Sequence, residues 1–289
     1  MSGMNFHQPH ARLFVPDGLE PIAALDRITH LGVGAHQDDL EFMAFHGIVA
    51  CYHSQAEWFG GVTCTNGSGS ARTGSYARYS DEEMMAIRRQ EQDQAAVVGR
   101  YGAMIQLDYP SKIAKDPGDA RLREDLRAIL TAARPRAVYT HNPADKHETH
   151  IAVVVPLLQA IRDLPAAERP EAVYGCEVWR DLDWLPDEAK VAHHVGGFEN
   201  LAAALNGIFD SQIAGGKRYD LAVQGRRRAN ATFFESHGVD ATDAMSFAMD
   251  LTPLVQNEAL DLVSYVTAYI DRFREDVIRK LSQRLGRAV

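Results

Sequence analysis

The chain has 289 residues and a formal net charge of −9, and 46% of it is hydrophobic. That composition supplies a sizeable core and excludes a disordered or fibrous chain. An acidic balance without a lysine/arginine stripe excludes nucleic acid as a partner gripped through its phosphates. No apolar run of about 18 residues is present to span a bilayer, which excludes a membrane protein of the helical kind. The first ten residues lack the basic region and apolar core of a secretory signal. Cys51, Cys64 and Cys176 are odd in number and far apart, which fits free thiols in a reducing cytoplasm better than a disulfide framework. The expectation is a cytoplasmic protein with a small-molecule site, folded as a single domain over residues 1–289.

Short apolar runs alternate with longer periodic segments. Strands are predicted at 28–35, 58–65, 103–107, 136–140 and 172–179, and helices at 42–53, 81–99, 122–133 and 147–164. Pro156 should kink the last of these helices. Asp81, Glu82 and Glu83 lie where carboxylates favour the positive end of a helix. Strand–helix alternation predicts an α/β fold, a Rossmann-like doubly wound and mostly parallel sheet over 28–180. Beyond residue 180 the rhythm changes. Residues 201–209, 219–234 and 252–285 read as helical, with weaker strand signals between them, giving a largely helical extension over 181–289. Leu262, Val266, Tyr269, Phe273, Val277 and Leu281 form one apolar stripe. It reads as a helix packed on its own domain or, alternatively, as a contact in a homo-oligomer.

Residues at the carboxyl ends of strands line the ligand crevice of an open α/β sheet. The first strand runs into Ala35-His36-Gln37-Asp38-Asp39-Leu40-Glu41, and the fourth into His141-Asn-Pro-Ala-Asp145-Lys-His147-Glu-Thr-His150. In the common order 3-2-1-4-5 those strands are neighbours, so the two segments face each other across one crevice. A catalytic zinc takes three protein ligands and a water. His36, one carboxylate of the Asp38–Asp39 pair and a histidine of 147–150 can supply the three. The other aspartate is then placed to accept a proton from the water. Gly32-Val-Gly34 half-matches a dinucleotide fingerprint, but the third glycine and the acidic ribose partner are missing. NAD is therefore not expected. The loop 66–80 is long enough to be a lid or binding loop. Arg72 and Arg78 are placed to meet an anion there, and Tyr76 or Tyr79 to stack on a sugar. Trp179, Trp184 and the His193–His194 pair lie past the fifth strand, as core, surface or pocket residues.

On these residues the chain resembles the LmbE-like/PIG-L family of zinc-dependent N-deacetylases, which act on N-acetylglucosamine-type sugars. The family's Ala-His-Pro-Asp-Asp-Glu corresponds to Ala35-His36-Gln37-Asp38-Asp39 with Leu40-Glu41, and its His-Pro-Asp-His to His147-Glu148-Thr149-His150. Its Arg-x-x-Glu corresponds to Arg88-Arg-Gln-Glu91. The resemblance covers 28 to about 165 well. Further on, Ser211-Gln212 resembles a recurrent family pair. It implies His36, Asp39 and His150 as zinc ligands and Asp38 as general base on the water held at the metal. His147 is implied as the group that stabilises the tetrahedral intermediate or protonates the amine, and Arg88 as the residue that holds substrate. Gln37 departs from the family proline, and Thr149 from the aspartate that usually partners the second-motif histidine. The oxyanion tyrosine of some members has no match. Asp145 stands nearest its place and is expected to orient His147.

The resulting expectation is one Zn2+ per chain, with Fe2+ able to compete for the same ligands. The expected activity is hydrolysis of an N-acylated sugar or glycoconjugate. Two alternatives remain. One is a zinc amidase acting on another N-acyl compound, such as a thiol conjugate or natural-product glycoside. The other is a non-catalytic metal-dependent binding module.

Overall fold

The computed structural model describes residues 4–287. The elements in chain order are β1 (Arg12–Phe14), α1 (Pro21–Asp26), β2 (His30–Gly34), α2 (Asp39–Met43), α3 (Phe45–Tyr52), β3 (Phe59–Thr65), α4 (Asp81–Val98), β4 (Ala103–Tyr109), α5 (Ser111–Ala114), α6 (Arg121–Ala133), β5 (Ala137–His141) and α7 (Glu148–Arg162). There follow β6 (Ala172–Cys176), β7 (Lys190–His194), α8 (Glu199–Ile208), α9 (Asp210–Ile213), α10 (Tyr219–Phe233), β8 (Met245–Asp250), α11 (Thr252–Gln256) and α12 (Leu262–Arg284).

One eight-stranded sheet has the order β1-β4-β3-β2-β5-β6-β8-β7. The strands β4-β3-β2-β5-β6 are mutually parallel and correspond to the predicted 3-2-1-4-5 order, with β2 beside β5 at the switch point. Three antiparallel pairings extend this core. β1 joins β4 at one edge, and at the other β8 joins β6 and β7 joins β8. Residues 181–287 are thus rich in helix, and they also supply β7 and β8 to the sheet. Each is short and mixed in polarity (Lys-Val-Ala-His-His and Met-Ser-Phe-Ala-Met-Asp), so neither carries the continuous apolar run of a buried parallel strand.

Alternate residues of the central strands feed two cores. Leu31, Val33, Val62, Cys64, Ile105, Leu107 and Val138 face one, which is built against α6, α7 and α11. Phe59, Met104, Ala137 and Tyr139 face the other, built against α2, α3, α4 and α8. The long helix α4 begins at a capping box. The Ser80 hydroxyl accepts from Glu83 N, and the Glu83 carboxylate accepts from Ser80 N. The three cysteines are buried and unbridged. Pro156 lies within α7, which continues through it. Among the described residues no helix is long and apolar enough to cross a membrane.

The terminal helix divides along its length. Val266 is buried, and Leu262, Tyr265 and Tyr269 pack against the core. Phe273, Val277 and Leu281 stand exposed. The apolar stripe predicted from the sequence therefore packs on its own domain only in its first half.

The two glycines of Gly32-Val-Gly34 serve packing. A Cβ on Gly32 would lie 2.7 Å from the Phe59 ring and 3.0 Å from Leu40 Cδ2. The absent side chain lets α2 settle on the sheet directly after Asp38–Asp39, which fixes the depth of that turn. Gly32→Ala is therefore expected to destabilise the fold by about 1–3 kcal/mol through overpacking. The measurement is a urea midpoint that falls at unchanged m-value. An unshifted midpoint would show that α2 is free to move outward.

Candidate functional site

The turn between β2 and α2 has an unusual backbone. Asp38 adopts φ 85° and ψ −28°, in the left-handed region. A non-glycine residue rarely sits there, and such strain persists where the surroundings hold it. Asp38 occupies the position that precedes a helix, yet its side chain caps no helical N–H. Its carboxylate turns instead to Arg88 of α4, whose Nη1 donates to Oδ2 at 3.1 Å. Its backbone N–H is taken by Gln92 Oε1 at 3.1 Å. Burial pushes the Asp38 carboxyl up to about 7, with the Arg88 guanidinium pulling the other way and the Asp39 carboxylate adding to the rise.

The next residue has the opposite character. Burial would raise the Asp39 carboxyl, but His150, His141 and His36 together hold it well below the ordinary carboxylate range. Its Oδ2 accepts the His36 backbone N–H at 2.6 Å and lies 3.3 Å from His36 Nδ1 and 3.3 Å from His141 Nε2. Its Oδ1 lies 3.5 Å from His150 Nε2. Two adjacent carboxylates on one strained turn thus differ. One is kept ionised among imidazoles, and the other is driven toward protonation by burial.

His150 stands in the first turn of α7 and is fully buried. Its Nδ1 donates to Asp145 Oδ2 at 3.2 Å, so that nitrogen carries the proton and Nε2 keeps a free lone pair. Among the described residues Nε2 has no hydrogen-bond partner. Burial lowers the imidazole to about 4, leaving it neutral. A buried, neutral imidazole whose bare nitrogen faces a carboxylate is the form that coordinates a cation, with Asp145 as the outer carboxylate that fixes its tautomer. One donor atom from each of His36, Asp39 and His150 lies within 4.8 Å of the others. The residues therefore fit a small divalent cation. His141, Asp145 and His150 form a second such group. In that group His141 Nε2 already accepts the Ala35 N–H at 2.9 Å and Asp145 is bonded to His150, and none of the three lines the cavity, although His141 Nδ1 is buried without a partner among the described residues.

The other predicted residues fall into place around this set. The His147 ring lies 5.0 Å from that of His36 and 4.6 Å from that of His150, measured between centroids. Its Nδ1 is buried without a partner. Burial, with His36 and His141 nearby, lowers its pKa against the pull of Asp39 and Asp145. Asp145 does not touch the His147 imidazole. It accepts the His147 backbone N–H at 3.1 Å through Oδ1, and through Oδ2 it holds His150 and the Trp179 N–H. Arg88 borders the cavity with its terminal nitrogens engaged, Nη1 on Asp38 and Nη2 on the Gln37 carbonyl. Gln37 replaces the stiffness of a proline with hydrogen bonds from Nε2 to Thr65 O and Gln106 Oε1. Thr149 is buried and lines the cavity.

Two further residues matter that the sequence did not single out for chemistry. His141 ends β5, stacks on His150 at 3.7 Å and approaches Asp39. Its position at a strand's carboxyl end was the available signal. Glu91 accepts from Ser211 N at 2.7 Å and Ser211 Oγ at 2.6 Å, which ties α4 to α9 and brings Gln212 to the cavity. In loop 66–80, Gly67, Gly69, Ser70 and Ala71 line the cavity. Arg72 is spent on Ser68 O, Tyr79 O and Asp81, and Tyr76 donates to Asp210 Oδ2 at 2.7 Å. Those side chains hold the loop's shape. Trp179 lines the cavity, whereas His193 is buried elsewhere, stacked 4.0 Å from His46. The whole cavity measures about 430 Å3.

Residues 31–161 match the family model described as PIG-L: GlcNAc-PI de-N-acetylase. No curated protein sequence matches the chain. Among solved structures, the conserved protein TT1542 from Thermus thermophilus is similar with a TM-score of 0.57 at 20% identity, over 77% of this chain and 94% of that one. The 4-carboxy-2-hydroxymuconate hydratase GalB from Pseudomonas putida gives 0.53 at 16% identity, over 78% and 96%. The N,N'-diacetylchitobiose deacetylase from Pyrococcus horikoshii gives 0.55 at 16% identity, over 75% and 82%. At these identities the likeness establishes the fold. The matched segment contains every residue of the His–Asp–His set together with Asp38, Arg88, Asp145 and His147, so the match to the PIG-L family model falls on the candidate site.

Proposed function

We propose that this chain is a zinc-dependent N-deacetylase that hydrolyses the acetamide of an N-acetylglucosamine-type sugar or glycoconjugate. The observation that carries the reading is one cavity lined by His36, Asp39 and a separate buried carboxylate, Asp38, with His150 buried beside Asp39 and its Nε2 bare. The PIG-L family model and the fold of the diacetylchitobiose deacetylase support it. A hydratase also has this fold, so the reaction has to be read from the site.

His36, Asp39 and His150 would hold the cation. Two imidazoles and one carboxylate suit zinc, and Fe2+ competes for the same donors. When bound, such a cation polarises the amide carbonyl and brings the pKa of a coordinated water to about 7. Asp38 takes the proton from the attacking water at its carboxylate. Arg88 fixes the direction of that carboxylate and keeps it ionised enough to act as a base, against the burial that favours its protonated form. His147, neutral at pH 7, donates a hydrogen bond toward the carbonyl oxygen as negative charge grows there. The departing nitrogen needs a proton, and the one gained by Asp38 is available for it, so a single carboxyl serves as base and then as acid. Asp145 holds the tautomer of His150, and the Glu91–Ser211 tether keeps Gln212 at the cavity.

Asp38→Asn keeps a side chain that tolerates the left-handed backbone and removes only the base. It is expected to retain bound zinc by elemental analysis while kcat falls by about 10²–10⁴-fold. Near-normal kcat would remove Asp38 from the mechanism. Alanine at His36, Asp39 or His150 is expected to empty the site, and unchanged metal content in all three refutes the ligand set. Asp145→Asn should weaken metal affinity by about 10–100-fold, because the amide cannot anchor the Nδ1 proton as a carboxylate does. Competition against a chelator measures that loss. A panel of N-acetylated sugars, a thiol conjugate and a natural-product glycoside, assayed for free amine and acetate, separates the sugar reading from the other amidase readings. Zinc binding with no release from any of them would identify a binding module.

A further inference from the structure

The cavity extends beyond the metal-ligating set to a second wall that lies almost entirely outside the family match. Tyr219, Ala222, Val223 and Arg226 all line it, and their spacing of three, four and seven residues places them on one face of α10. Lys217 lines it just before that helix begins. Opposite stand Val178 and Trp179. The Lys217 Nζ lies 5.3 Å from the Trp179 ring centroid, and the Trp179 and Tyr219 rings meet edge to face at 6.0 Å. The wall is held at both ends. The Trp179 N–H donates to Asp145 Oδ2 at 3.2 Å, and Arg226 Nη1 donates to the Val178 carbonyl. The first of these bonds reaches the same carboxylate that orients His150, so this wall has a fixed distance to the reacting centre.

The charges on this wall are uncompensated. Of the carboxylates lining the cavity, Asp38 is bound to Arg88 and Asp39 is set among the histidines. The neighbouring Arg218 is neutralised by Asp220 at 2.8 Å. Lys217 and Arg226 make no such ion pair among the described residues. Glu177 does act on Arg226, but burial pushes the Glu177 carboxyl up, and its Oε1 is taken by the Phe247 N–H and Asn230. Two free cations flanking an aromatic strip, on a chain of net charge −9, make a local site for an anion attached to a ring.

We propose that Lys217 and Arg226 determine specificity by binding a carboxylate or phosphate carried by the substrate on the side remote from the N-acyl group, while Trp179 and Tyr219 pack on the ring between. This rests on the amide-hydrolase reading for the identity of the substrate, but binding at the wall can be measured apart from turnover. Arg226 presents a planar fork suited to a carboxylate or phosphate edge, and Lys217 a mobile point charge. Both charges are partly or fully open to solvent, so their attraction must weaken with salt.

The test uses the zinc-loaded Asp38→Asn protein and calorimetric binding of three probes. These are methyl N-acetyl-β-glucosaminide (neutral), N-acetylglucosamine 6-phosphate and N-acetylglucosaminuronic acid (carboxylate at C6). At low salt at least one anionic probe is expected to bind about tenfold or more tightly than the neutral one, a margin equal to about 1.4 kcal/mol. Which anion wins distinguishes phosphate from carboxylate recognition. The margin is expected to shrink at high salt, and to be lost in Lys217→Met/Arg226→Met, with a smaller change for the neutral sugar. Lys217→Glu breaks no hydrogen bond recorded in the structure, and serves if the double variant fails to fold. It should lower affinity for the anion at least threefold. Equal affinity for all three probes, a margin that survives either variant, or no binding of either anion at about 10 mM overturns the proposal. Free-amine release by the unsubstituted protein is scored separately. Anion preference without hydrolysis overturns the deacetylase reading and leaves the binding wall standing, whereas hydrolysis without anion preference does the reverse.

Discussion

A carboxylate removed from water has to be met by donors or countercharge, because its uncompensated burial costs several kcal/mol. Asp39 is such a group. The His36 N–H donates to it from its own turn, while His141 at the end of β5 and His150 in the first turn of α7 bring imidazoles whose near nitrogens carry lone pairs. These can meet only because β2 and β5 pair in parallel at the switch point. Sheet order and the demand for a countercharge beside Asp39 therefore go together. The same constraint prepares the site for a cation. Asp145 consumes the Nδ1 proton of His150 and leaves its Nε2 bare beside Asp39.

Around that centre the structure separates roles that look alike in sequence. Asp38 and Asp39 are adjacent and chemically identical, yet the left-handed backbone at Asp38 sends its carboxylate to Arg88 while Asp39 goes to the histidines. Arg88 and Glu91 lie one turn apart on α4, so one helix face both aims the base and, through Ser211, fastens the segment that follows α8. Asp145 has a corresponding double duty, since it also holds the N–H of Trp179 and thereby the wall that faces α10.

Much of the architecture is legible without coordinates. The five central strands, the helices between them and the order 3-2-1-4-5 follow from apolar runs, helical periodicity and right-handed crossovers. The outer strands are harder to read. β1 has three residues, and β7 and β8 mix charged, imidazole and apolar side chains, so their pairing is set by neighbours already in the sheet. The site is legible in its residue types and hidden in its hydrogen bonds. Nothing in the spacing says that Asp145 holds the imidazole of His150 and only the backbone of His147. Nor does it say that Arg72 and Tyr76 brace the loop that carries them.

The sequence by itself determined which chemistry was on offer. Two carboxylates after one strand, two histidines after another and a family-like Arg-x-x-Glu in a helix are local patterns, fixed by covalent order and by the periods of strand and helix. Only the tertiary structure decided who bonds to whom. The protonated nitrogen of His150, the direction of the Asp38 carboxylate and the two cations on the far wall, without an ion pair among the described residues, depend on distances between segments far apart in the chain. Those distances are set by packing, through the close approach of α2 over Gly32 and the parallel register of β2 against β5. Packing is a property of the folded whole, which is why no local reading of the residues contains it.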